Sequence, residues 1–189
     1  MKRSHIKIVL NAPAVLLFSL LCLAATVLGI LSAGTITRAF FMTYKSSLSS
    51  PLTYLRAFTH VLGHSGMAHF FGNISLILLL GPILEEKYGG KKIWLVIAIT
   101  ALATAIINAV FFPNVALCGA SGVVFAFILL TSFTEFKDGE IPITFILVAL
   151  IYAGQELVNA IFVQDNISQM AHLAGGAIGA IAGYSWNKR

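Results

Sequence analysis

Six apolar stretches, most of them divided by short polar or glycine-proline clusters, leave this chain few ways to fold. They run over residues 10–33, 67–84, 91–111, 120–134, 141–162 and 169–186. Glu85-Glu86-Lys87-Tyr88-Gly89-Gly90-Lys91-Lys92 divides the second from the third, Phe112-Pro113-Asn114 ends the third, and Glu135-Phe136-Lys137-Asp138-Gly139-Glu140 divides the fourth from the fifth. Where water is absent, a helix is the local structure that satisfies its own backbone. Only 10% of the residues are charged and 58% are hydrophobic, against about a quarter charged in a soluble domain. With a mean hydropathy of +0.92, the chain has no surface to keep it in water. The expected fold is all-α: a polytopic membrane protein with a six-transmembrane-helix bundle, forming one domain over 1–189.

Met1-Lys2-Arg3 ahead of an apolar run resembles a signal peptide. The run reaches from Ile8 to about Ala33, well beyond the ~7–15 residues of a signal core, so a retained helix is expected. Pro13 lies near its start, where proline is tolerated. The basic residues give the orientation. Lys2, Arg3, Lys7, Lys87, Lys91, Lys92, Lys137, Lys188 and Arg189 fall on one side, and Arg38, Lys45 and Arg56 on the other. That excess places both termini in the cytoplasm. The net charge of +5 forms no stripe interleaved with aromatics, so the expected partner is a lipid bilayer and not nucleic acid. Cys22 and Cys118 make no disulfide framework.

The first outward connection, 34–66, is long and apolar in patches, notably Phe40-Phe41-Met42 and Leu52, Leu55, Phe58, Val61 and Leu62. Short helices packed against or sunk into the outer leaflet are expected there. The fourth span is short. Ser121 to Thr134 covers about 21 Å of a ~30 Å hydrocarbon core, so Ser121 is expected below the outer surface. Non-helical backbone from Ala116 to Gly119 at that depth must be buried in protein or line a water-filled cavity.

Polar and ionisable residues at membrane depth are functional by default, and three groups of them stand out. Gly119-Ala120-Ser121-Gly122 puts a serine at a helix start, beside backbone N–H groups able to stabilise an oxyanion. A serine there also reads as an ordinary helix N-cap. Ala171-His172-Leu173-Ala174-Gly175 continues to Gly179 and Gly183. His172, Gly175 and Gly179 share one helix face, and the glycines allow a neighbouring helix, such as the fourth span, to come close. His69 and Asn73, spaced i, i+4 near the outer end of the second span, can both donate hydrogen bonds to a developing negative charge.

His60 and His64 read as loop anchors. A zinc site from His60, His64, His69 and His172 lacks a supporting ligand motif, so no metal is expected. Gln155 and Glu156 sit within the fifth span as bundle hydrogen-bonders or part of a transport path. No acid is placed to complete a triad, Asp165 being a remote candidate.

Together these groups resemble the rhomboid family of intramembrane serine proteases, most closely its compact six-helix bacterial GlpG type. The likeness runs from about Arg56 to Gly179 and takes in His69 and Asn73, Gly119 to Gly122, and Ala171, His172, Gly175 and Gly179, with His64 and Arg56 upstream. The resemblance implies Ser121 as nucleophile and His172 as general base in a dyad without aspartate. It implies an oxyanion hole of His69, Asn73 and the Ser121 backbone N–H, and no cofactor. It also implies transmembrane protein substrates, a fifth span and 162–169 loop that gate them, and a site opening to the periplasmic side of a bacterial inner membrane. Two positions depart from the family pattern. Leu55 stands where a tryptophan is common, and Phe125 where a tyrosine stacks on the histidine; Phe125 should keep the stacking. The rival readings are a catalytically inactive rhomboid-like membrane scaffold and a small proton-coupled transporter using Glu156 and the histidines.

Overall fold

The computed structural model describes residues 9–134, 140–162 and 166–187. Among them the chain forms eight α-helices: α1 (Pro13–Leu31), α2 (Thr35–Phe40), α3 (Pro51–Thr59), α4 (Met67–Tyr88), α5 (Gly90–Phe111), α6 (Ser121–Thr131), α7 (Ile143–Phe162) and α8 (Asn166–Asn187). A 3-10 turn at His60–Leu62 follows α3. The β pairing among the described residues is one antiparallel bridge between Thr43 and Leu117. Helices α1, α4 and α5 are each long and apolar enough to cross a membrane, and the chain is a multi-pass, all-helical membrane protein.

The distribution of side chains on α5 shows how sequence becomes bundle. Leu95, Ile99, Leu102 and Ile106 form one stripe and are exposed, while Thr100, Thr104 and Asn108 are buried on the opposite face. Polar inside and apolar outside suits a lipid surround, where hydroxyl and amide groups find partners only within the protein. Thr104 does so by donating to the carbonyl of Thr100 at 2.8 Å.

Helix α1 begins with Pro13 in its first turn, and Ala12 at its cap position supplies no side-chain bond. Its free N–H groups are instead taken by Glu85, in the last turn of α4. Ala14 N–H donates to Oε1 and Val15 N–H to Oε2, each at 2.9 Å. Glu85 is buried, so this carboxylate holds the start of α1 through two charge-assisted bonds in the favourable direction of the helix dipole. Glu85→Ala is expected to cost about 2–3 kcal/mol of stability and Glu85→Gln roughly half of that. Thermal unfolding in detergent checks this, and an unshifted Tm for Glu85→Ala would refute the capping role.

The first connection contains the short helices expected of it, α2 and α3. Arg56 of α3 is buried. Its Nη1 donates to Tyr44 Oη and its Nη2 to Ser46 Oγ, both at 2.9 Å, and its guanidinium lies over the Tyr44 ring at 4.4 Å. One buried cation thereby fixes the extended 43–46 segment against α3. Leu55 beside it is exposed.

Helix α6 is the most enclosed. Gly122, Val123, Val124 and Ala126 to Leu130 are all buried. It is shorter than the 120–134 span expected from sequence, ending at Thr131 before a turn. Eleven residues make about 16 Å of helix, which deepens the recess implied at its N-terminal end. Helix α8 runs along it. A Cβ on Gly175 would overlap the Gly122 carbonyl and one on Gly179 the Ala126 carbonyl. The two backbones therefore touch, as the glycine face anticipated. Cys22 and Cys118 are free thiols.

Candidate active site

The segment before Ser121 is non-helical, exposed at 114–116, half-buried at Leu117 and Cys118 and buried at Gly119 and Ala120, and several of its polar groups find partners within the protein. Asn108 Nδ2 donates to the Val115 carbonyl at 2.9 Å. Leu117 exchanges both backbone bonds with Thr43, each at 2.9 Å, and Gly119 N–H donates to the His60 carbonyl at 3.0 Å. The first connection thus holds the strand-like lead into α6 from two places. This satisfies the condition that buried irregular backbone must find partners.

His60 is an anchor in this arrangement. Its Nδ1–H donates to the Arg56 carbonyl at 3.1 Å, and its Nε2 lies 3.1 Å from the Thr104 hydroxyl. His64 Nδ1 lies 3.1 Å from the Leu62 carbonyl and 3.3 Å from Thr26 Oγ1. Its ring stands edge-on to His69 and Phe70, with centroids 5.0 and 5.6 Å away. Burial pushes both rings down to about 4, and the neighbouring His69 adds to the effect at His64.

Both are neutral at pH 7. The unfolded chain takes up protons near 6.5 while the folded chain resists until about 4, so in that window the unfolded state binds more protons and stability rises with pH. The Tm in detergent is therefore expected to be flat above about pH 6.5 and to fall progressively from there toward pH 4. A flat profile across that window would contradict the buried, neutral histidines.

Gly119 has a φ of 130°, a conformation L side chains rarely adopt. It also leaves room: a Cβ there would stand 2.8 Å from His69 Cε1, 2.9 Å from His69 Nε2 and 3.8 Å from Asn73 Nδ2. Two side chains from one face of α4 thus converge on the backbone two residues before Ser121. Ser65 Oγ lies 3.2 Å from His69 Nδ1, so Nε2 faces Gly119. Asn73 is buried, and its Nδ2 makes no hydrogen bond within the protein. A buried amide donor with no internal partner is costly, which suits a group kept for a ligand.

Ala120, not Ser121, occupies the N-cap position of α6, and no side-chain bond caps that end. Ser121 is the first helical residue, so the ordinary capping reading fails. Gly122 abuts Ala171 of α8: a Cβ there would lie 3.3 Å from the Ala171 carbonyl. One turn on from Ser121, Phe125 stacks on His172 with centroids 4.3 Å apart and planes 5° from parallel. Ser121 and His172 therefore stand at the same level on adjoining helices, both half-buried. His172 lies almost two turns into α8, which starts earlier than the 169–186 span expected.

Other candidates go elsewhere or lie outside the description. His60 and His64 point to separate partners, and no group of three or more His, Cys, Asp or Glu able to hold a metal occurs among the described residues. The side chains of Gln155 and Glu156 and residues 163–165, Asp165 among them, lie outside the described residues, while 166–169, expected as loop, form the first turn of α8. Sequence reasoning missed the Thr43–Leu117 bridge and Tyr152. Tyr152, on α7, meets Phe125 edge-on with centroids 5.4 Å apart. Its only signal was an aromatic on the same helix as Phe145, two turns away.

Residues 51–189 match the rhomboid domain family. Rhomboid-related protein 2 of Mus musculus is 32% identical over 158 residues, covering 73% of this chain and 52% of that protein. Rhomboid-related protein 1 of Caenorhabditis elegans is 29% identical over 133 residues, 64% of this chain and 36% of that protein. RHOMBOID-like protein 4 of Arabidopsis thaliana is 25% identical over 128 residues, 64% of this chain and 31% of that protein. The chain spans about half, or less, of the length of these curated relatives.

Proposed function

This chain belongs to the rhomboid family, and from that premise we propose that it is an intramembrane serine endopeptidase cleaving transmembrane-segment substrates. Ser121 is the nucleophile and His172 its general base. The observation that carries the reading is the convergence at the head of α6. An uncapped serine begins the helix, a histidine ring from α8 is stacked on Phe125 one turn along it, and the unpartnered Asn73 amide and His69 are aimed at Gly119.

In this reading Ser121 Oγ attacks the scissile carbonyl while His172 takes the hydroxyl proton. The carbonyl oxygen, now negative, is held by Asn73 Nδ2–H, the His69 Nε2–H and the Ser121 backbone N–H. The intermediate collapses, the C–N bond breaks, and His172 returns the proton to the leaving amine. Water then attacks the acyl ester, losing its proton to His172, and Ser121 is restored with release of the carboxyl product. No metal or other cofactor enters these steps. The orientation proposed is that of the basic residues, with both termini cytoplasmic in a bacterial inner membrane and the site opening to the periplasmic side.

A fluorophosphonate probe tests the nucleophile directly. Wild type in detergent is expected to be labelled, and Ser121→Ala is not. Equal labelling of both would refute the assignment.

A further inference from the structure

We infer that Tyr152 is a positioning residue for His172, acting through Phe125, so that the seating of α7 sets how well the general base is held. The inference rests on the dyad reading above. Three rings from three helices are in series. His172 of α8 is stacked face to face on Phe125 of α6, and Phe125 in turn meets Tyr152 of α7 at an interplanar angle of 86°. Offset-stacked and edge-to-face pairs are the favourable aromatic geometries, so each ring restrains the next. A phenylalanine at 125 cannot hold its own orientation with a hydroxyl bond. Its restraint on that side comes from Tyr152.

The way α7 is seated gives this contact its weight. Among the described side chains of α7, Phe145, Val148, Ala149 and Tyr152 are half-buried and lean on the core, while Ile146, Leu147, Leu150 and Ile151 face outward. A largely apolar, half-open pocket of about 190 Å³ lies between α7 and the small residues of α8 beside the rings; Phe145, Tyr152, Phe125, His172, Gly176 and Ala177 are among its lining. Helix α7 is thus not packed flush against α8 here, and Tyr152 is its link to the histidine's support. Movement of α7 draws Tyr152 off Phe125 and frees the imidazole to tilt away from Ser121. Of the described titratable side chains, Tyr152 shares the cavity lining with His172, and His69 of α4 lies against Gly119, two residues before Ser121.

The test compares Tyr152→Leu, which removes the ring, with Tyr152→Phe, which keeps it, on a model transmembrane substrate in detergent. Tyr152→Leu is expected to lower kcat about five- to tenfold with KM nearly unchanged and to shift the acid limb of the kcat/KM profile. Tyr152→Phe should match wild type in both. A second readout does not need activity. The ring signals of His172 in NMR, displaced by the stacked Phe125 in wild type, should move toward unstacked values in Tyr152→Leu and stay put in Tyr152→Phe. Wild-type kinetics in Tyr152→Leu together with unmoved His172 signals would overturn the inference, as would equal losses in the Leu and Phe variants. A wild type that cleaves nothing, with His172 signals that still respond to Tyr152→Leu, would overturn the protease reading and leave the ring coupling standing.

Discussion

Ser121→Ala is expected to lower cleavage of a model transmembrane substrate by at least about 10⁴-fold, to the limit of detection. The side chain lost is one hydroxyl at the uncapped head of α6, where it makes no capping bond, so the Tm should stay within about 1 °C of wild type. His172→Ala should be as severe in kcat, because a nucleophile and its base act as a unit, and the double variant should be no worse than either single one. Purified variants in detergent, assayed against the same substrate with Tm measured in parallel, give the comparison. Cleavage surviving in either single variant would remove the dyad. An additive loss in the double variant would mean that the two residues act separately. Loss of activity with a collapsed Tm would show a structural fault instead.

The second large effect concerns stability. Gly175→Ala and Gly179→Ala should each cost more than about 3 kcal/mol, at the upper end of overpacking, because the atom that must give way is a backbone carbonyl on buried α6. Gly176→Ala, one residue away, is the control. Its Cβ would meet the Leu129 side chain at 3.7 Å, an ordinary contact, so the change should lie within about 1 kcal/mol of wild type, with helix propensity in its favour. Three single-methyl additions on one helix thus separate backbone contact from glycine content. Thermal or denaturant unfolding in mixed micelles checks the ranking. A Gly176→Ala variant as unstable as Gly175→Ala would mean that the seam is not what the glycines serve.

The spans of this chain were legible because each is set by local rules. Apolar runs, prolines and charge clusters placed α1, α4, α5 and α7 within a few residues of their observed bounds. The i, i+3, i+7 spacing of His172, Gly175 and Gly179 announced a close neighbour, and α6 is that neighbour. Ser121, His69 and Asn73 could be singled out because polar groups in apolar sequence are conspicuous. What escaped depends on pairs distant in sequence. Glu85 reads as loop punctuation until α1 arrives to donate its N–H groups. The only hint was an acid at the C-terminal end of a helix, the end its dipole disfavours. Thr43 and Leu117 carry no pattern at all, since a single bridge is made by backbone atoms common to every residue. The start of α6 was misread because serine is a far commoner helix cap than alanine, yet Ala120 holds the cap position and Ser121 is the first helical residue.

The bridge between Thr43 and Leu117 has a consequence for timing. Its two partners, like Gly119 and His60, lie far apart along the chain, so loop-closure entropy must be met before the pairing contributes anything. Contacts of such long range form late in folding. Among the described helices α8, which carries His172, follows all the others in chain order, so the surroundings of Ser121 are completed only after it has been made. The serine is therefore expected to be a plain alcohol through most of the chain's maturation, acquiring its surroundings only as the final helix docks. On the proposed dyad, the nucleophile exists only once α8 has docked.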